Sequence, residues 1–228
     1  MLSSLISNLQ SLANPEKAKI HQKFFKTGKG QYGEGDIFLG ITVPEQRKIA
    51  KKYQDLSIAQ TIELLNSKIH EHRLTSLFIM IHHYEKTRYK KIFNLYLKNT
   101  KQINNWDLVD SSAPNIVGNF LLDKNKSVLY KLAKSKNLWE KRISIISTYE
   151  FIKNNQFEDT LKISEILLND EHDLIHKAVG WMLREVGKKN KNVLELFLTP
   201  RYKKMPRTML RYAIEKFPQE ERKKWLEK

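Results

Sequence analysis

At 228 residues, the chain can bury a sizeable core in one large domain or two small ones. Its 41 Lys and Arg stand against 25 Asp and Glu, a net charge of +16, which suits a polyanionic partner, nucleic acid before an acidic membrane surface, unless the protein is merely Lys-rich. The absence of cysteine excludes disulfides, thiolate metal sites and a cysteine nucleophile, and fits a reducing cytoplasm. Apolar runs such as "LFIMI" (77–81) are too short to span a bilayer. The opening "MLSSLISNLQSLA" lacks the basic start and long apolar centre of a signal peptide.

Nearly every segment has helical periodicity. In chain order, "NLQSLANPEKAKIHQKFFK" (8–26), "VPEQRKIAKKY" (43–53), "IAQTIELLN" (58–66), "HRLTSLFIMIHHYEK" (72–86) and "YKKIFNLYLKN" (89–99) repeat apolar residues every three or four positions. The pattern continues in "SVLYKLAKS" (127–135), "WEKRISIISTYEFIKNN" (139–155), "FEDTLKISEILLN" (157–169) and "HKAVGWMLREVGKK" (176–189). Breaks are expected at Asn14-Pro15, Thr42-Val43-Pro44, Ala113-Pro114 and Pro200. No strictly alternating run is long enough for a strand, and the fold class is all-α.

Four segments, "EHRLTSLFIM", "WEKRISIIST", "LIHKAVGWML" and "TMLRYAIEKF", align on a basic residue: Arg73, Arg142, Lys177 and Arg211. The anchors are 69, 35 and 34 residues apart, a period of about 34 to 35 with one repeat skipped. A period of that length filled by helix pairs signals an α-solenoid, and without tetratricopeptide signature residues a HEAT-like stack of antiparallel helix pairs with a concave basic groove is expected. The skipped repeat places its anchor at Asp107, inside "NNWDLVDSSAP" (104–114). Residues three and four apart share a helix face, so Trp106 lies beside Asp110. If the anchors line one side of the solenoid, Asp110, Trp181, Arg142 and Lys177 converge there, an acidic and aromatic spot in a basic stripe, with Arg184 seven residues after the Lys177 anchor. The bland readings stay open: anchors bonding to neighbouring repeats, tryptophans in the core, and Asp110 ending one helix with Ser111 or Ser112 capping the next.

The last 52 residues hold 15 Lys or Arg and 6 Asp or Glu, so +9 of the total charge. Within them "KKNKN", with Lys188 and Lys189, and "PRYKKMPR", with Arg207, are candidate phosphate contacts, or else a solvated surface. "GKGQYG" (28–33) formally matches a dinucleotide fingerprint, but no βαβ context surrounds it. A turn offering Lys29 and backbone N–H groups to a phosphate fits better. The histidines of "IHEHRL" and "IHHYE" form no zinc motif, and no nucleophile elbow occurs. No metal or cofactor is expected.

"DIFLGITVPEQRK", "NNWDLVDSSAP", "WEKRIS" and "HKAVGWMLREVGK" together resemble the bacterial DNA alkylation repair family of HEAT-like-repeat DNA glycosylases, the AlkD family, over almost the whole chain. The resemblance implies a single domain over residues 1–228, acting as a monomer in the cytoplasm on double-stranded DNA that carries alkylated bases. It implies that Asp110 is the catalytic carboxylate, that Trp106 and Trp181 contact the lesion's sugar, and that Arg142 supports Asp110 and a phosphate. Lys177 and Arg184 are then backbone contacts, joined by Arg73, Arg211, Lys29, Lys188, Lys189 and Arg207. One departure stands out: where the family's type member has a tyrosine facing the lesion, this chain has Phe24 and Phe25, and Tyr32 is the candidate to supply the hydroxyl.

The implied chemistry suits these residue types. Alkylation at purine N3 or N7 makes the base cationic, so it leaves without prior protonation. A carboxylate near the sugar stabilises the developing oxocarbenium charge and orients water. Indole faces add cation–π attraction of roughly 0.5–2 kcal/mol each. Recognition through sugar and backbone, with no base-binding pocket, is part of what the resemblance implies.

Overall fold

The computed structural model describes residues 1–87 and 90–227. Tyr89, which opens the expected helix 89–99, lies outside them. The chain is helical throughout, and its one β feature among the described residues is an isolated parallel bridge between Ile37 and Ile69. Compact packing divides it into Met1–Ser112 and Ala113–Lys228.

The first unit contains α1 (Leu2–Ser11), α2 (Pro15–Phe24), α3 (Val43–Lys52), α4 (Ile58–Leu65), α5 (His70–Thr87), α6 (Lys90–Lys98) and α7 (Trp106–Asp110). The breaks at residues 14–15 and 42–44 fall where expected, and each is a capped helix start. Asn14 accepts the Lys17 amide ahead of Pro15, and Thr42 forms a reciprocal box with Glu45 around Pro44. α5 carries this unit. Every residue from His70 to Ile81 is buried, and α1, α3, α4, α6 and α7 all pack on it. A helix buried all round needs its polar side chains satisfied from its neighbours. Ser76 Oγ therefore donates to Thr61 O at 2.6 Å. The Glu71 carboxylate accepts the amides of Leu39, Gly40 and Ile41, which pins the 25–42 loop to the start of α5. Gly40 sits there at φ +82°, and a Cβ would lie 2.2 Å from Asn14 O.

The second unit contains a π-helical turn (Pro114–Gly118) running into α8 (Asn119–Leu121), then α9 (Ser127–Ala133), α10 (Leu138–Ser147), α11 (Tyr149–Lys153), α12 (Glu158–Ile166), α13 (Asp173–Lys189), α14 (Lys191–Leu198), α15 (Arg207–Ala213) and α16 (Gln219–Leu226). α9 packs on α10, α10 on α13, and α13 against α12, α14 and α15. The anchors fall on successive members of the helix series: Arg73, Arg142, Lys177 and Arg211 lie on α5, α10, α13 and α15, and Asp107 lies on α7. The 34-residue period thus marks the helix pairs of an α-solenoid.

Two expectations need correction. The segment 139–155 is two helices, because Ser147 and Thr148 turn their hydroxyls back onto the carbonyls of Ile143 and Ile145, and such bonds bend a helix. Pro114 begins a helical turn, and the break comes earlier, at Ser111–Ser112. Ser112 Oγ donates to Leu108 O at 2.5 Å and meets Tyr96 Oη at 2.9 Å, so it closes α7 and does not cap the next helix.

Close approach of α13 to α15 depends on Gly180. A Cβ there would stand 2.5 Å from Tyr212 Cβ and 2.6 Å from Met209 O, and the backbone oxygen cannot swing aside. Gly180→Ala is expected to destabilise the fold by about 1–3 kcal/mol, read as a lower urea midpoint at unchanged slope.

Candidate functional site

α7 is a five-residue helix opened by the Asn105 side chain, which accepts the Trp106 amide. Leu108 and Val109 are fully buried, which turns Trp106 and Asp110, one turn apart, to a partly exposed face. The Trp106 indole is held on several sides. Phe25 stacks on it at 5.0 Å and 25°, and Phe24 meets it edge-on at 5.6 Å. Its Nε1 donates to Tyr32 Oη at 3.3 Å, while the Tyr32 hydroxyl donates to Phe24 O at 3.4 Å. Phe25 is buried and Phe24 is 61% exposed, so the two phenylalanines divide into a prop and an outward face. A tyrosine hydroxyl does stand beside Trp106, supplied by Tyr32.

The two acids of "WDLVD" have different environments. Asp107 is tied down: its Oδ1 accepts the Leu108 amide at 2.9 Å and its Oδ2 lies 2.7 Å from His70 Nε2. His70 Nδ1 lies 3.1 Å from Asp36 Oδ2, and Asp36 Oδ1 accepts from Arg73 Nη2 at 2.7 Å. The imidazole stacks on Phe38 at 4.4 Å and leans on Phe25 at 5.1 Å. Burial opposes charge on His70, yet the carboxylates of Asp107 and Asp36 outweigh it and push its pKa up to about 9. Burial likewise opposes ionisation of Asp36, and His70 and Arg73 hold its pKa below the usual value.

Sequence reasoning passed over His70 and Asp36, which belong to no motif and lie 34 residues apart. It also misassigned Arg73. That guanidinium is 3% exposed, bound to Asp36 and to Ser67 O at 3.1 Å, so it is an internal tie and cannot reach a phosphate. Arg142 is buried as well and donates to Leu174 O at 2.6 Å, a bond between α10 and the start of α13.

On α13, Trp181 is half-buried beside the Tyr149 ring at 6.1 Å. Its Nε1 donates to Glu185 Oε1 at 3.2 Å, which also accepts from Arg184 Nη2 at 3.1 Å and Lys188 Nζ at 2.9 Å. Glu185, overlooked in the sequence although it follows Trp181 by one turn, thus gathers three candidate residues. Arg184 also pairs with Glu215, and Lys177 with Asp173 at 2.7 Å. Lys189 and Arg211 are exposed, and Arg207 donates to Leu226 O. Lys29 is exposed too, but the amides of Gly28 and Gly30 already bond to Gln31 and Glu34, so two of the N–H groups expected to face a phosphate are occupied.

The His70 network sets an alkaline limit on stability. A folded pKa of about 9 against 6.5 unfolded means that its contribution is complete below pH 6.5 and fades as pH rises through 9. The parent is expected to lose up to about 3 kcal/mol over that window. His70→Gln should be less stable at neutral pH and lose much less over the same range, as urea midpoints taken at each pH will read.

A model of the family described as DNA alkylation repair enzyme matches residues 5–217. Among solved structures, a predicted DNA alkylation repair enzyme from Enterococcus faecalis superimposes with a TM-score of 0.72 at 16% identity, over 91% of this chain and 97% of that one. AlkD2 from Streptococcus mutans does so with a TM-score of 0.57 at 16% identity, over 90% and 98%. At such identities the likeness is one of fold. No curated protein matches the sequence. With a family match over nearly its whole length and helix pairs folded as in those structures, the chain belongs to the DNA alkylation repair enzyme family.

Proposed function

We propose that the protein is a monofunctional DNA glycosylase that releases cationic N3- or N7-alkylated purines from double-stranded DNA and leaves an abasic site. The observation that carries the reading is the face that α7 presents, where the carboxylate of Asp110 and the indole of Trp106 stand one turn apart on a partly exposed side. A carboxylate beside a rigid aromatic face suits an oxocarbenium-like deoxyribose, which gains electrostatic stabilisation from the acid and cation–π attraction from the ring.

In this mechanism the alkylated base departs with the bonding electrons of its glycosidic bond, which neutralises its own positive charge. Asp110 stabilises the sugar cation and orients the water that attacks C1′. The water's surplus proton passes to Asp110 or to solvent. No base-binding pocket is invoked, since the lesion's own charge weakens the bond. Trp181 is a further sugar contact. Lys177, Arg184, Lys188, Lys189, Arg207, Arg211 and Lys29 engage phosphates. The protein works as a monomer on DNA in the cytoplasm. The described residues include no helix long and apolar enough to cross a membrane.

The test is base release from a duplex containing N7-methylguanine. The parent should release the base. Asp110→Asn should bind the duplex about as tightly and release none in single-turnover assays; release at the parental rate would remove Asp110 from its role. Trp106→Ala and Trp181→Ala should each slow release more than about tenfold, at least ~1.4 kcal/mol of transition-state stabilisation. Affinity should fall steeply with salt as counterions are displaced from several phosphates. Salt-sensitive binding without release by the parent would identify a nucleic-acid-binding module, and neither binding nor release a protein adaptor.

A further inference from the structure

His70 is buried among charged groups that the proposed reaction does not use. Facing it are Asp36 from the 25–42 loop, Asp107 from α7 and Arg73 from its own helix. Asn105 Nδ2 reaches Asp36 Oδ2 at 3.4 Å, and the rings of Phe25 and Phe38 cover the imidazole. Beyond Phe38 stand His21, whose ring is 5.8 Å away, and Glu71, 3.9 Å from His21 Nδ1. A neutral imidazole has one N–H and cannot donate to two carboxylates, so with Asp36 and Asp107 both ionised the geometry calls for protons on both nitrogens. Two acids and two bases then cancel, which is how such a set survives burial.

The network ends on α7. Asp107 accepts His70 with one oxygen and the Leu108 amide with the other, so the bond holds the first turn of that helix. Five residues cannot sustain a helix on local propensity, and α7 must be set by its tertiary ties. Trp106 and Asp110 lie within those five residues. The effect of His70 on them passes through Asp107 and through Phe25, which leans on the imidazole and stacks on Trp106.

We propose that doubly protonated His70 is a positioning residue for the reaction described above, holding Asp107 so that α7 presents Trp106 and Asp110 to the DNA sugar together. The inference rests on the glycosylase reading, and its test separates the two.

The variants are His70→Gln and, as a control for stability alone, Ser76→Ala, which loses the buried bond to Thr61 O. Selective 15N-histidine labelling should show an imidazole protonated at both nitrogens near neutral pH and missing from His70→Gln; a neutral His70 overturns the inference. On the N7-methylguanine duplex, His70→Gln should cut at least about tenfold more slowly while its affinity changes less than about threefold, and Ser76→Ala should cut at the parental rate. The parent's rate should fall as pH rises through about 9, with no such fall in His70→Gln. Parental cutting by His70→Gln, or equal slowing in both variants, overturns the assignment. If His70→Gln does not fold, the parent decides: loss of rate must coincide with the imidazole's own titration. If the parent releases no base at all, the glycosylase reading fails first. Amide exchange in α7 then decides, faster in His70→Gln but not in Ser76→Ala if His70 holds the helix, unchanged if it does not.

Discussion

The contact between His70 and Asp107 joins the most deeply buried helix of the first unit to its shortest one. α5 cannot move without disturbing a core packed on every side, and α7 has almost no stability of its own. The 2.7 Å hydrogen bond ties the five-residue helix to the eighteen-residue one. Charge-assisted bonds in a dry environment are stronger than neutral ones and more specific in direction. The arrangement also explains the positions of the neighbouring groups. Glu71 draws in the 39–41 amides, the Ile37–Ile69 bridge fixes the residue after Asp36, and Arg73 holds Asp36 itself. Loop, core helix and α7 therefore form one electrostatic assembly.

Within that assembly the aromatic residues translate charge into shape. Phe38 lies against the imidazole, Phe25 touches both Phe38 and His70, and Trp106 stacks on Phe25. A stack of flat rings resists tilting because each ring is confined by the next, so the indole reaches the surface with little rotamer freedom left. Tyr32 completes the support from the loop side through Nε1. Around the indole, Phe25 thus supplies packing, Phe24 an exposed face, and Tyr32 a hydroxyl.

The helix pairs were legible in the sequence because their signal is local. Three- and four-residue periodicity, prolines after Asn14 and Val43, and a basic residue returning every 34 or 35 positions all survive without knowledge of distant contacts. That Trp106 and Asp110 share one face of a helix was legible for the same reason, since they stand one turn apart in a single short run. What escaped were residues whose meaning lies in partners far along the chain. Asp36, His70 and Asp107 are separated by 34 and 37 positions, and no spacing rule connects them. Glu185 was nearer at hand, one turn after Trp181, but an acid in a basic segment reads as an ordinary helix pair. The repeat itself misled at Arg73. Equivalent positions in a solenoid share a place in the helix pair without sharing an environment, and α5 is buried where α15 is open.

That difference bears on how a net charge of +16 is used. Lys177, Arg184 and Lys188 already face Asp173, Glu215 and Glu185, so a phosphate arriving there would exchange one anionic partner for another. Such pairs at or near the surface contribute about 0–1 kcal/mol each, because water and salt screen them. A phosphodiester offers more, since each neutralised phosphate also releases condensed counterions. Exchange therefore favours DNA at low salt without requiring any cation to stand unpaired beforehand. Arg73 and Arg142 cannot take part in the same way. Removing a buried guanidinium from its acceptors leaves those acceptors unsatisfied, at a cost of roughly 1–3 kcal/mol each. The basic residues thus divide by burial into those at the surface, whose carboxylate partners can be exchanged, and those that hold the helices.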